Sequence, residues 1–339
     1  MNLNENDDAW FLAIARDNKP ISEYTAANEV FDVDISNSGE PSYVSAGDGT
    51  TKMKRVDTLF ERSLDFTRDP FLLTRKLGDE YFKTHTQDKR FTTDNARIDW
   101  NWSSGVNGFD ASNYAGWMFR RVRGFHDVVN YSPEYWGTSS NLVTHNLGVI
   151  PELIIIKVRD REDQDWIVYH SALGPTKYLR LNSNAAQTTS STPFRDTAPT
   201  ATTFPIATSD NMTGGDEYYF AWLFATAPGI SKVGSFSHTS GSATAVDCGF
   251  TNGTGFCLLK RYDATGGNAD NWVVVDSRSS SDGISTSSNE KFLYVNSTTS
   301  NFSSPGLVPT SSGFEVSASA GSGDFATGDY AFFAIAAIT

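Results

Sequence analysis

"YFAWLFA", residues 219–225, is one of four versions of a single seven-residue phrase. The others are "AWFLAIA" from Ala9, "YAGWMFR" from Tyr114 and "YAFFAIA" from Tyr330, at intervals of 105, 105 and 111 residues. A period held that closely marks a repeat. A unit of this length is a whole small domain rather than a propeller blade.

Other segments keep the same period and order. "LIIIKVRD" from Leu153 answers "FCLLKRYD" from Phe256. "DWIVYHS" from Asp165 answers "NWVVVDS" from Asn271 and, more weakly, "DTLFERS" from Asp57. "KYLRLNS" from Lys177 answers "KFLYVNS" from Lys291 and weakly "EYFKTHT" from Glu80, and "GFHDVVNY" from Gly124 answers "GISKVGSF" from Gly229. The chain therefore divides into bodies 16–120, 121–225 and 226–339, each closed by the aromatic heptad, with the first most diverged. Residues 1–15 hold an orphan closing strand, expected to complete the first body's sheet or, alternatively, an open edge on a neighbouring subunit.

The repeated segments are short, rich in Val, Ile, Phe, Tyr and Trp, and bounded by Gly, Ser, Thr, Asn and Pro. That pattern predicts strands. Only Asp69 to Phe82 reads as a short helix. The expected fold is all-β: tandem antiparallel β-sandwich modules, three related repeats. Trp117, Trp222 and Phe333 share one repeated position and Trp166 and Trp272 another. Large apolar residues at repeated positions are core residues, and both tryptophans of the second pair are expected on equivalent strands between two sheets.

Composition narrows function. No apolar run approaches the ~20 residues of a membrane span, and "MNLNENDD" lacks a signal-peptide pattern. The expectation is a protein made in a cytoplasm, with no membrane insertion. A net charge of −13 argues against nucleic acid as a partner. Two cysteines in 339 residues exclude a disulfide scaffold. Cys248 and Cys257 flank a glycine turn and are read as two small buried residues rather than a bonded pair.

Catalytic patterns are missing. The histidines at 85, 126, 145, 170 and 238 show no metal-ligand spacing, and no nucleophile elbow, Walker loop or dinucleotide fingerprint is present. His170 stands where the sister body has Asp276, as a polar strand-end residue. "DATGGNADN", Asp263 to Asn271, offers oxygens for a Ca²⁺ but fits no EF-hand spacing and is read as a solvated turn. The expectation is no enzyme, no cofactor and no metal. The candidate binding residues are aromatics outside the repeat: Trp100 and Trp102 in "DWNWSS", and Tyr135 and Trp136 in "EYWG". Aromatics in body-specific loops grip sugars or proteins, or else cover a neighbouring body. "SRSSSDGISTSSNE", Ser277 to Glu290, is an exposed loop by composition.

The order "GFHDVVNY…VTHNLGVIPELIIIKVRDREDQDWIVYHSALGPTKYLRLNS…FAWLFATAPGISKVGSF…CGFTNGTGFCLLKRYDATG…NWVVVDSR…YAFFAIA" resembles a repeat of virion proteins, tail-fibre-like and otherwise structural, from marine and freshwater bacteriophages. The likeness is good over 114–339 and fainter over 9–113. It implies a tail-fibre, tail-associated or surface-exposed virion component made in the host cytoplasm and serving host-surface attachment or particle decoration. Its expected partners are other virion proteins, a host surface glycan and copies of itself, with a homotrimer favoured. It carries no catalytic residues to this chain. The alternative class is a polysaccharide-binding module or carbohydrate-active enzyme.

Overall fold

The computed structural model describes residues 20–36, 43–44, 55–64, 67–92, 99–101, 105–107, 114–132, 141–207, 212–214, 217–263, 267, 270–277, 290–299, 302–304, 306–320 and 325–338. These form an all-β protein with only two single turns of 3-10 helix, Ile21–Glu23 and Ala27–Glu29. The heptad at 9–15 lies outside the described residues.

Three six-stranded antiparallel sheets share one strand order. The first runs β1 (Phe31–Ser36), β9 (Tyr114–Phe119), β3 (Thr58–Ser63), β4 (Phe71–Thr74), β5 (Glu80–Lys83), β6 (Phe91–Thr92). The second runs β10 (His126–Tyr131), β17 (Tyr219–Phe224), β12 (Leu153–Val158), β13 (Ile167–His170), β14 (Lys177–Arg180), β15 (Thr188–Thr189). The third runs β18 (Ser231–His238), β26 (Gly328–Ala336), β20 (Thr254–Arg261), β21 (Val273–Asp276), β22 (Glu290–Tyr294), β23 (Phe302–Ser304). In each, the strand carrying the heptad, last in its body, lies between the body's first strand and its long third-ranked strand.

Smaller antiparallel sheets accompany them: β2 (Tyr43–Val44), β8 (Gly105–Asn107) and β7 (Asp99–Asn101); β11 (Leu142–Thr144) with β16 (Thr203–Pro205); and β19 (Thr244–Asp247), β25 (Gly313–Val316) and β24 (Leu307–Pro309). Each packs on the outer face of its own large sheet, making a sandwich. Val106 of β8 joins Leu59 and Met118; Val143 and Phe204 join Ile154, Ile156 and Leu223. In the third body Phe314 meets Phe332 with ring centroids 5.3 Å apart.

The inner faces of the large sheets meet one another. Trp117, Trp222 and Phe333 stand across from Val33, Val128 and Val233 on one side and Phe60, Ile155 and Leu258 on the other. All join one core that spans the three sheets. Phe224 lies 5.4 Å from Phe119 and 4.9 Å from Phe333, so side chains from all three bodies touch near a common axis. A small cavity there is lined by Phe60, Phe119, Ile155, Trp222, Leu258 and Phe333, among others. Covering on both faces explains the sequence pattern. β9, β12 and β17 are buried at every position, and such strands show no apolar–polar alternation.

Two sequence expectations are corrected. Asp69 to Phe82 is not helical: it forms β4 and most of β5, because Phe71–Thr74 must pair with β3 while Phe82 packs on Trp166 and Trp222. "DTLFERS" does not correspond to "DWIVYHS". It contains β3, which pairs with the closing strand β9 as β12 pairs with β17, so its counterpart is "LIIIKV". The true counterpart of "DWIVYHS" is "DPFLLTR" from Asp69, where Pro70 replaces the tryptophan. Loss of that aromatic landmark makes the first body the most diverged of the three in sequence.

Candidate functional site

Of the candidate binding aromatics, Trp100 alone is described. It sits half-buried on β7, an outer strand of the first body's small sheet. Its indole N–H donates to Gly78 O at 2.7 Å, and the Arg75 guanidinium carbon lies 5.1 Å from the ring centroid. The indole is tied to its own body. Trp102, Tyr135 and Trp136 lie outside the described residues.

Trp166 and Trp272 are buried, but each stands one residue ahead of its strand, β13 or β21. Their indole N–H groups cross between bodies: Trp166 donates to Lys83 O at 3.3 Å and Trp272 to Arg180 O at 2.8 Å. Asn182 and Asn296 accept from the two tryptophan backbone N–H groups, at 3.0 and 2.9 Å.

A set of buried cations shares these seams. Arg62, Lys157 and Lys260 occupy one repeated position, opposite Ala115, Phe220 and Ala331 of the closing strands. All three are fully buried. Lys157 Nζ donates to Gln164 O of its own body (2.6 Å) and Gln87 O of the first (3.0 Å). Lys260 Nζ donates to Asp270 O of its own body (2.5 Å) and Asn184 O of the second (3.0 Å). Arg62 donates to Arg68 O of its own body and to Tyr294 O (3.0 Å) and Thr299 O (2.7 Å) of the third. Second holds first, third holds second, first holds third: the ring closes within one chain. Burial lowers all three pKa values, Lys260 to about 7, Lys157 to about 8 and Arg62 to about 10. The sequence carried this signal as a basic residue recurring inside an apolar strand. The misplaced "DTLFERS" hid its third member.

Two histidines also sit between bodies. His126 Nε2 lies 2.9 Å from Thr58 Oγ1, Nδ1 lies 3.0 Å from Leu223 O, and the ring stacks on Phe224. His170 closes β13 and is buried, with Nε2 3.3 Å from Phe332 O. Desolvation pushes both rings down to about 4, against weaker raising by their backbone contacts. Both are therefore neutral at neutral pH. Asp276, in the sister position, accepts the Trp117 indole N–H at 2.8 Å.

Cys248 and Cys257 are free thiols, both buried, and burial pushes Cys248 up to about 12. In the Asp263–Asn271 turn, Asp270 is buried and ion-paired with Arg261 at 3.2 Å, so that carboxylate anchors the turn instead of facing water. Among the described residues no group of three or more His, Cys, Asp or Glu could hold a metal ion. No described helix is long and apolar enough to cross a membrane. What the sequence did not flag is an apolar tip on the second body, Val149 and Ile150, 38% and 56% exposed.

No curated protein and no solved structure matches this chain. One family model does, over residues 48–338, described as "Domain of unknown function (DUF7483)". The match begins after β1 and β2 and runs through the rest of the first body and all strands of the second and third large sheets. The chain belongs to that family.

Proposed function

We propose that the chain is a structural protein of a phage virion, a tail-fibre, tail-associated or other surface-exposed component that serves host-surface attachment or particle decoration. The observation that carries this reading is the ring closed by its own seam contacts, Lys157 to Gln87, Lys260 to Asn184 and Arg62 to Tyr294. The buried basic side chains at the seams, Arg62, Lys157 and Lys260, are committed to backbone carbonyls. Such an arrangement serves rigidity. The sequence resemblance to virion repeats and the acidic net charge of −13 point the same way. Polysaccharide binding draws less support, because the Trp100 indole N–H is already bonded to Gly78 O.

The test is immunogold labelling of purified particles with antibody raised against the recombinant chain, together with adsorption in the presence of excess free chain. Label at one defined place on the particle is expected. Slower adsorption would add the attachment role. Absence of the chain from purified particles by mass spectrometry would overturn the reading.

A further inference from the structure

The three seams use equivalent places but not the same side chains. Arg62, Lys157 and Lys260 share one place, each opposite its closing strand. Pro70, Trp166 and Trp272 share a second, where their carbonyls accept from Thr84 N, Leu181 N and Val295 N at 3.1, 3.1 and 3.0 Å. Two seams therefore carry a lysine and a tryptophan, while the seam of the first body on the third carries an arginine and a proline. The acceptor places do not change. Trp166 and Trp272 donate to the last carbonyls of β5 and β14, Lys83 O and Arg180 O. The lysines donate to Gln87 O and Asn184 O, further along the same stretches of chain. In the third body the last carbonyl of β22, Tyr294 O, accepts from Arg62 Nε at 3.0 Å, and Thr299 O accepts from Arg62 Nη2 at 2.7 Å. One guanidinium thus fills both acceptor places that elsewhere take an ammonium and an indole. Its planar fork spreads five N–H donors over three nitrogens, whereas an ammonium has one. Arg62 Nη1 keeps the own-body carbonyl, Arg68 O, as the lysines keep Gln164 O and Asp270 O. Thr84 adds a further donor: its Oγ1 gives to Val295 O at 2.5 Å, and its counterparts Leu181 and Val295 have no side-chain donor.

We propose that Arg62 and Thr84 are the specificity residues of the ring's closing seam, recognising the Tyr294–Thr299 carbonyl edge of the third body in place of the lysine and tryptophan of the other two seams. The edge they read is backbone, and backbone carbonyls are alike in all three bodies. The acceptor side therefore cannot say which body comes next, and selection falls to the donor side. The closing seam is also the one that chain connection helps least. The first and second bodies follow directly along the chain, as do the second and third, whereas the whole second body separates the first from the third. Closing that longer loop costs more entropy, so this seam depends most on its own contacts. The arginine–proline set matches only this edge, which fixes the cyclic order of the bodies. The inference stands apart from the virion reading and survives its failure.

The experiment is a double-mutant cycle on the full chain: the natural sequence, Arg62→Lys, Pro70→Trp and the two together, with Thr84→Val alongside. Urea midpoints report the whole fold. Hydrogen exchange by mass spectrometry over 290–299 reads the closing seam, and over 177–184 the seam between the second and third bodies. Arg62→Lys is expected to speed exchange over 290–299 at least about tenfold while 177–184 stays within about threefold. Thr84→Val should speed the same 290–299 peptides by a smaller factor. Pro70→Trp alone should lower the urea midpoint, because indole and guanidinium then compete for Tyr294 O. In the double variant the indole takes Tyr294 O and the ammonium takes Thr299 O and Arg68 O. Exchange over 290–299 should then return to within about threefold of the natural chain. A double variant no better than Arg62→Lys would overturn the proposal. So would an Arg62→Lys chain that leaves 290–299 unchanged or speeds both segments equally, since Arg62 would then support the fold at large. Should Arg62→Lys fail to fold, recovery of folding by adding Pro70→Trp supports the proposal, and continued failure overturns it.

Discussion

A tryptophan one residue ahead of a strand contributes twice here: it fills the core and it donates a hydrogen bond to another body. Trp166 and Trp272 do both, which makes them more than apolar filling. Replacing either by Ala is expected to cost about 3–5 kcal/mol in urea unfolding. Replacement by Phe should cost less, and the difference isolates the inter-body bond at about 1 kcal/mol. Lys260→Met should also destabilise, by about 1–3 kcal/mol, because Asp270 O and Asn184 O are left without their buried donor. An unchanged urea midpoint for Lys260→Met would mean that desolvating the ammonium had cancelled its two bonds. Legibility differed among these residues. The tryptophans were visible as repeated aromatics. The seam role was invisible, because a repeat period says which positions are equivalent but not which body each one faces.

At the scale of elements, the closing strand organises each sheet. It comes last in its body and lies inside the sheet, so the body's first and third-ranked strands both pair with it: β1 and β3 with β9, β10 and β12 with β17, β18 and β20 with β26. This explains why the heptad is the best-preserved phrase in the sequence: both of its edges and both of its faces are occupied. The small sheets are more sensitive at single points. A Cβ on Gly313 of β25 would lie 2.1 Å from Val246 O and 2.9 Å from Cys248 N on the facing strand side. Gly313→Ala is expected to cost about 1–3 kcal/mol and to raise hydrogen exchange in β19 and β25 before the large sheet responds. Uniform exchange across the third body would show instead that the small sheet opens only with the whole. The helix expected at Asp69 to Phe82 failed because propensity reads one segment alone, whereas β4 and β5 are decided by pairing with β3.

At the scale of the molecule, three sheets share one core and a cyclic set of seams, so they should unfold together. Calorimetry is expected to show one transition with equal calorimetric and van't Hoff enthalpies. Resolved transitions for separate bodies would contradict the shared core. Acid should weaken the ring at two seams. His126 and His170 have folded pKa values of about 4 against an ordinary 6.5, so the unfolded chain binds more protons between those values. Stability contributed by their neutrality is complete above about pH 6.5 and is lost as pH falls toward 4, by roughly 3 kcal/mol for each ring. The urea midpoint should fall over that window, and His170→Gln should flatten the fall by about half. A midpoint independent of pH between 4 and 6.5 would refute the assignment.

What the sequence by itself determined was the local and the periodic: strands from β-branched and aromatic runs, turns from glycine and polar clusters, and equivalence of positions from the repeat. These follow from side-chain chemistry and spacing along one chain. Tertiary structure alone decided that the bodies close into a ring, that Arg62, Lys157 and Lys260 bind carbonyls of a different body, and that His126 and His170 are buried between bodies. The physical reason is that burial on both faces of a sheet erases the apolar–polar alternation that would say which side faces what. Once a strand reads as apolar throughout, only the arrangement of the sheets in space tells its two sides apart.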